Sequence, residues 1–254
     1  MLAFVVTLIV QKGQLKIEDF WLPFLGGLIW SVSGFCAFTA THRIGMAKAF
    51  GVLAPFNIIV SILWGAVLFH EFPNTGTVGQ LLLWASIVII IAGVLMIIFA
   101  KDKHENSQNT RNKIIGGLAA FGAGILWGSY FIPLKMSSFS LWVTAFPLAI
   151  GIFIGSTLLL LLTKQTIKLE KSSSYFRVSM TGLLWGIGNY GMLLLVSQLG
   201  AGRWFTISQL CVVVNALIGI YILKDPHPGT RTATLTLIGC VLATFGGIIL
   251  GNLK

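Results

Sequence analysis

Apolar stretches of about 20 residues recur along this chain, over 20–41, 48–69, 79–100, 114–134, 141–162, 178–198, 204–223 and 232–250, after a shorter run over 1–10. At 1.5 Å per residue, about 20 residues cover the roughly 30 Å hydrocarbon core of a bilayer. Backbone groups in hydrocarbon must pair within their own segment, so each run is expected to be a helix. The period-two alternation that a membrane barrel needs is missing. The expected fold class is all-α, a polytopic membrane protein. Composition agrees, since 56% hydrophobic and 9% charged residues with a mean hydropathy of +0.91 would load a water-soluble fold with apolar surface.

A net charge of +10 would suggest nucleic acid in a soluble domain. Here the basic residues lie in short polar connections between apolar runs, so no nucleic-acid partner is expected and the partner is the lipid bilayer. Of the 17 Lys and Arg residues, Lys12, Lys16, Lys135, Arg203 and Lys254 fall on one side and the rest on the other. The richer side, which holds 101–113, is expected to be cytoplasmic, with Lys254 facing outward. Cys36, Cys211 and Cys240 are far apart inside apolar runs, a spacing that suits neither zinc nor a disulfide framework, and they read as small packing residues. No cleavable signal is expected, because the first run is followed by lysines and acids rather than by a small-residue cleavage site.

The longest polar stretch, 101–113, divides the chain into 1–100 and 114–254. At an offset of 155 residues, the separation of Trp30 and Trp185, the two parts align without a gap. Gly27, Leu28 and Trp30 meet Gly182, Leu183 and Trp185; Gly45 meets Gly200, Phe50 meets Phe205, Pro73 meets Pro228, and Thr75 meets Thr230. Five helices is an odd number, so two such units in tandem lie in opposite orientations in the bilayer, as in many secondary transporters. The expectation is two inverted five-helix repeats: 1–100, incomplete at its N-terminus with a partial helix and three spans, and 114–254 with five. By the same register the first helix and part of the second fall upstream of Met1. A misassigned start and a fragment explain this equally well.

The segment Trp127-Gly128-Ser129-Tyr130-Phe131-Ile132-Pro133-Leu134-Lys135 resembles a signature of Trp or Phe, Gly and Ser, then Pro and Lys. That signature opens each half of the glucose/ribose porter family of sugar transporters, a branch of the drug/metabolite transporter superfamily. Gly182 to Asn189, with Trp185, followed by Ser208 and Gln209, resembles the family's second half, and Glu71 is placed like the acid that closes the fourth helix in many superfamily members. The likeness covers essentially the whole chain and departs in one place: the first copy of the Trp-Gly-Ser signature is not within it. The resemblance implies a ten-helix fold, a sugar substrate, and a site that includes Trp127, Ser129, Trp185, Asn189 and Gln209.

Elementary chemistry points to a cavity without that likeness. Asn57, Asn189, Gln209 and Asn215 lie well inside apolar runs, where an amide facing lipid is costly, so each is expected to face protein or water. Interhelical hydrogen bonding and a solute path both account for such amides. Amides offer donor and acceptor together, which suits the hydroxyls of a neutral sugar. Trp127, Tyr130, Trp185 and Tyr190 are deep enough to stack on a sugar's C–H face, whereas Trp21, Trp142 and Trp204 sit near span ends and read as an interfacial belt. Gly124 with Gly128, Gly151 with Gly155, Gly182 with Gly186, and Gly247 with Gly251 are G-x-x-x-G pairs, expected to bring helices close. Pro55, Pro133 and Pro147 are expected to kink their helices.

All seven acids, Glu18, Asp19, Glu71, Asp102, Glu105, Glu170 and Asp225, lie in connections or at span ends. None offers an intramembrane proton carrier, so the coupling ion, H+ or Na+, stays open. His42, His70, His104 and His227 also fall at span ends or in connections, no catalytic set appears at membrane depth, and neither an enzyme nor a cofactor is expected. The expected function is secondary transport of a neutral, hydroxyl-rich solute: monosaccharide uptake by alternating access across a bacterial cell membrane. A metabolite or drug exporter of the same superfamily and a non-functional truncated product are the alternatives.

Overall fold

The computed structural model describes residues 20–68, 76–100, 110–137, 141–164, 171–208, 210–224 and 226–252. The run over 1–10, Gln209 and all seven acids lie outside the described residues. Those described are helical, with no strand among them. In order they form α1 (Trp21–Ile44), α2 (Met46–Leu68), α3 (Thr77–Phe99), α4 (Thr110–Ser129), α5 (Phe131–Met136), α6 (Leu141–Leu162), α7 (Ser172–Ser208), α8 (Leu210–Leu217), a π-helical turn (Ile218–Ile222) and α9 (Arg231–Gly251). Among the described residues, 6 helical spans are long and apolar enough to cross a membrane; they lie in α1, α2, α3, α4 with α5, α6 and α9.

Local chemistry sets the joints. α1 and α2 are separated by Gly45 alone, whose φ of 81° is open to glycine and strained for a residue with a Cβ. Its N–H donates to the Thr41 carbonyl and its carbonyl accepts from Ala49, each at 3.0 Å, so the corner stays hydrogen-bonded. Pro133 has no N–H for the Ser129 carbonyl, and the helix breaks at Tyr130 between α4 and α5. Pro55 and Pro147 instead stand inside α2 and α6, which continue through them. Before α9, the Thr230 N–H donates to the His227 carbonyl at 3.3 Å across Pro228 and Gly229, the latter at φ 82°, as in a type II turn. The Thr230 hydroxyl then accepts from the Ala233 N–H at 3.1 Å and caps the helix.

The sequence reading is corrected at one joint. It separates 178–198 from 204–223, whereas α7 runs unbroken through 199–203 to Ser208. Gly200 and Gly202 each disfavour helix by about 1 kcal/mol relative to Ala, a weak preference beside the run of backbone hydrogen bonds that a continuous helix keeps. Gly45 and Gly200, matched by the repeat register, therefore behave differently: one turns a corner and the other lies within a helix. At the other end of the polar stretch 101–113, α4 already begins at Thr110.

The described helices group into two compact units. One comprises residues 33–129 and 202–254, and its core includes Leu53, Ile90, Ile97, Ala123 and Cys240, all at most 2% exposed. Here α2 and α4 are in intimate contact. A Cβ added at Gly124 would lie 2.7 Å from the Leu53 carbonyl oxygen, and one at Gly128 would lie 2.8 Å from that of Asn57. The Ser33 hydroxyl joins α1 to α4 by donating to the Ala123 carbonyl at 2.8 Å. α3 and α9 pack antiparallel: Gly246 faces the Ser86 carbonyl, while Gly93 faces that of Gly239. In the second unit, residues 1–32 and 130–201, the first half of α1 lies against α6. A Cβ at Gly27 would collide with the Leu148 carbonyl and lie 2.8 Å from the Gly151 Cα, and Gly155 faces the Ser31 hydroxyl. α6 and α7 form a hairpin in this unit.

Candidate functional site

Between α6 and α7 lies a cavity of about 340 Å³, within the range of about 300–1,000 Å³ usual for small-molecule sites. It exists because both walls are built from small residues. On α6, Ala145 and Ala149 line it beside Leu148 and Ile152; on α7, Ser179, Gly182, Gly186 and Asn189 follow at intervals of three and four, which places them on one helical face. A Cβ at Gly182 would meet nothing within 4 Å. Trp185, 43% exposed, and Tyr190 complete the α7 wall.

Two ring contacts hold the aromatic residues. Trp185 meets Trp30 of α1 with ring centroids 4.9 Å apart and planes at 55°. Tyr190 stacks on Trp142 at 5.9 Å and 16°. Trp142, which the sequence reading assigned to the interfacial belt, thus backs the cavity wall. The Tyr190 hydroxyl oxygen is buried and has no hydrogen-bond partner. The cavity therefore offers an aromatic face and an amide one helical turn further along α7, whereas the Tyr190 hydroxyl is closed off from it. It holds no charged side chain.

The structure brings Trp185 and Asn189 together and sends other sequence candidates elsewhere. Asn57, Trp127, Ser129 and Asn215 belong to the other unit. Ser129 accepts a hydrogen bond from Trp64 Nε1 at 3.0 Å and donates to the Ile125 carbonyl at 2.8 Å, so it links α2 to α4. The Asn57 side-chain oxygen accepts from Ser61 at 3.3 Å, and the same Ser61 hydroxyl donates to the Asn57 carbonyl at 2.7 Å. Trp127 packs against that unit's core, and Asn215 is half-buried on α8. Tyr130 lies in the cavity's unit, at the break between α4 and α5, with its carbonyl facing Gly26. Gln209 is outside the described residues. Sequence reasoning missed Ser179, although its spacing to Gly182, Gly186 and Asn189 was a usable signal. It had none for Trp142, which meets Tyr190 only through the α6–α7 hairpin.

Helices of membrane-crossing length around a cavity of this size are the build of a small-molecule transporter. The chain belongs to the family described as Sugar transport protein, whose model it matches over residues 1–253. This bears out the resemblance carried by 127–135 and 182–189. A relative in Enterococcus faecalis V583, named as a sugar uptake protein, is 27% identical over 98% of this chain and 85% of its own length. Another in Bacillus cereus ATCC 10987, named as a glucose uptake protein, is 24% identical over 98% of this chain and 85% of its own. A third in Listeria monocytogenes EGD-e, also named for sugar uptake, is 27% identical over 91% and 78%. No solved structure matches the chain. The protein is an integral, multi-pass membrane protein.

Proposed function

We propose that the chain takes up a neutral monosaccharide across a bacterial cell membrane by alternating access, with the α6–α7 cavity as the sugar site. The observation that carries this reading is the cavity wall on α7. Trp185 presents a ring for the sugar's C–H face, Asn189 presents donor and acceptor for its hydroxyls, and no charged side chain lines the cavity to select an ion. The names of the relatives in Enterococcus, Bacillus and Listeria support the same substrate class.

The inverted repeat belongs to the same proposal. Helices matched by the 155-residue register, α3 and α9, pack antiparallel, and the two tryptophans that define the register touch each other. Each compact unit also draws helices from both sides of 101–113. In this reading the two repeats rock about the site, with 101–113 on the cytoplasmic side. The test is counterflow: liposomes holding the full chain and loaded with unlabelled hexose or pentose should accumulate the labelled sugar, and Trp185→Ala should reduce that exchange more than tenfold. A panel of monosaccharides that gives no exchange, with an organic cation moved down a proton gradient instead, would replace this reading with the exporter.

A further inference from the structure

The cavity between α6 and α7 is longer than one sugar ring. Ser179 and Asn189 both line it, and at 1.5 Å per residue the rise from one to the other along α7 is about 15 Å. A pyranose with its opposite oxygens measures about the 5.4 Å pitch of a single helical turn. A ring on Trp185 that turns its edge to Asn189, one turn further on, therefore ends short of Ser179, which lies about 9 Å back along the helix from Trp185. Volume agrees, since a hexose fills roughly half of the cavity's 340 Å³. The floor of the remaining stretch is Gly182, where an added Cβ would meet nothing within 4 Å. Trp142 of α6 meets Tyr190, so the start of α6 lies beside Asn189 and Ile152 lies toward Ser179. Ser179 itself is exposed and ends that stretch with a hydroxyl, a group that both donates and accepts.

We propose that this second stretch is a subsite for a second sugar unit, and that the chain binds and carries neutral disaccharides as well as the monosaccharide. One ring lies on Trp185 and pairs with Asn189; the other lies over Gly182, against Ile152, and pairs with Ser179. No charged side chain lines the cavity, so the second unit is uncharged: a sugar phosphate or a uronic acid would enter without a counter-charge. The inference rests on the sugar reading above and goes beyond it, because it adds a substrate class and gives Ser179 a task of its own. Room alone admits a second ring, and the hydroxyl at the far end rewards it.

The experiment is a counterflow comparison in liposomes containing the full chain. A labelled monosaccharide that wild type exchanges is competed with neutral disaccharides that contain it; for glucose these are maltose, cellobiose, isomaltose and trehalose. The expected result is that at least one of them competes and that its own labelled form accumulates by counterflow. In Ser179→Ala the ratio of that disaccharide's affinity to the monosaccharide's should fall about tenfold. Retained exchange of the monosaccharide reports that the variant is folded. If no disaccharide accumulates in a chain that exchanges the monosaccharide, the cavity carries one ring only; if the ratio is unchanged in Ser179→Ala, that hydroxyl holds no second ring. Either result overturns the proposal. If wild type exchanges neither class of sugar, the sugar reading itself fails and this inference falls with it, an outcome plainly different from the other two.

Discussion

Two helix pairs in this molecule carry the same G-x-x-x-G spacing and use it in opposite ways. Where α4 crosses α2, Gly124 and Gly128 face backbone at distances no side chain tolerates. Where α7 faces α6, a Cβ at Gly182 would enter open space, and with Gly186 it lines the cavity. The first pair spends its missing side chains on contact and the second on emptiness. Small residues at that spacing therefore predict a smooth helix face, and what the face does depends on the opposing helix. Ser61 and Trp64 of α2 supply side chains that bond across to α4, whereas α6 opposes α7 with Ala145 and Ala149.

The largest effect should come from filling the closed crossing. Gly128→Leu would drive a side chain into α2, at a cost of about 3 kcal/mol or more, and the amount of monodisperse protein recovered in detergent should collapse. Gly182→Leu is its counterpart: the helix should gain about 1 kcal/mol from propensity, with folded yield unchanged and sugar exchange lost by more than tenfold. Equal loss of folded protein in both variants would erase the contrast. Next in size is Asn189→Leu, expected to weaken sugar binding about tenfold by removing one donor and one acceptor, with thermal stability in detergent unaltered. The smallest effect is expected at Ser129→Ala, which removes the Trp64 bond between α2 and α4 at a cost of under about 1 kcal/mol and leaves sugar affinity untouched. A drop in affinity larger than the drop in stability would move Ser129 from the crossing to the sugar site.

The membrane fold was readable because run length and backbone pairing leave a chain few choices. Trp185 and Asn189 were readable as a pair for a similar reason, since one turn of helix places them together whatever lies opposite. Legibility ends where the answer depends on a neighbouring helix. Nothing within 127–135 says that Ser129 would meet Trp64, and nothing near Trp142 says that it would meet Tyr190. The continuity of α7 through Gly200 and Gly202 escaped for a different reason. Glycine's intrinsic preference against helix is a weak force beside the demand for backbone pairing.

Open space at Gly182 also bears on how such a chain can diverge. A substitution at most buried positions must be matched by another across the contact, so lineages change there slowly and in pairs. At Gly182 an added Cβ meets nothing within 4 Å, so under the proposed reading it shrinks the room left for a solute without asking any neighbour to move. If the cavity is the sugar site, a single codon there is a dial on solute size that can turn while the scaffold stands still.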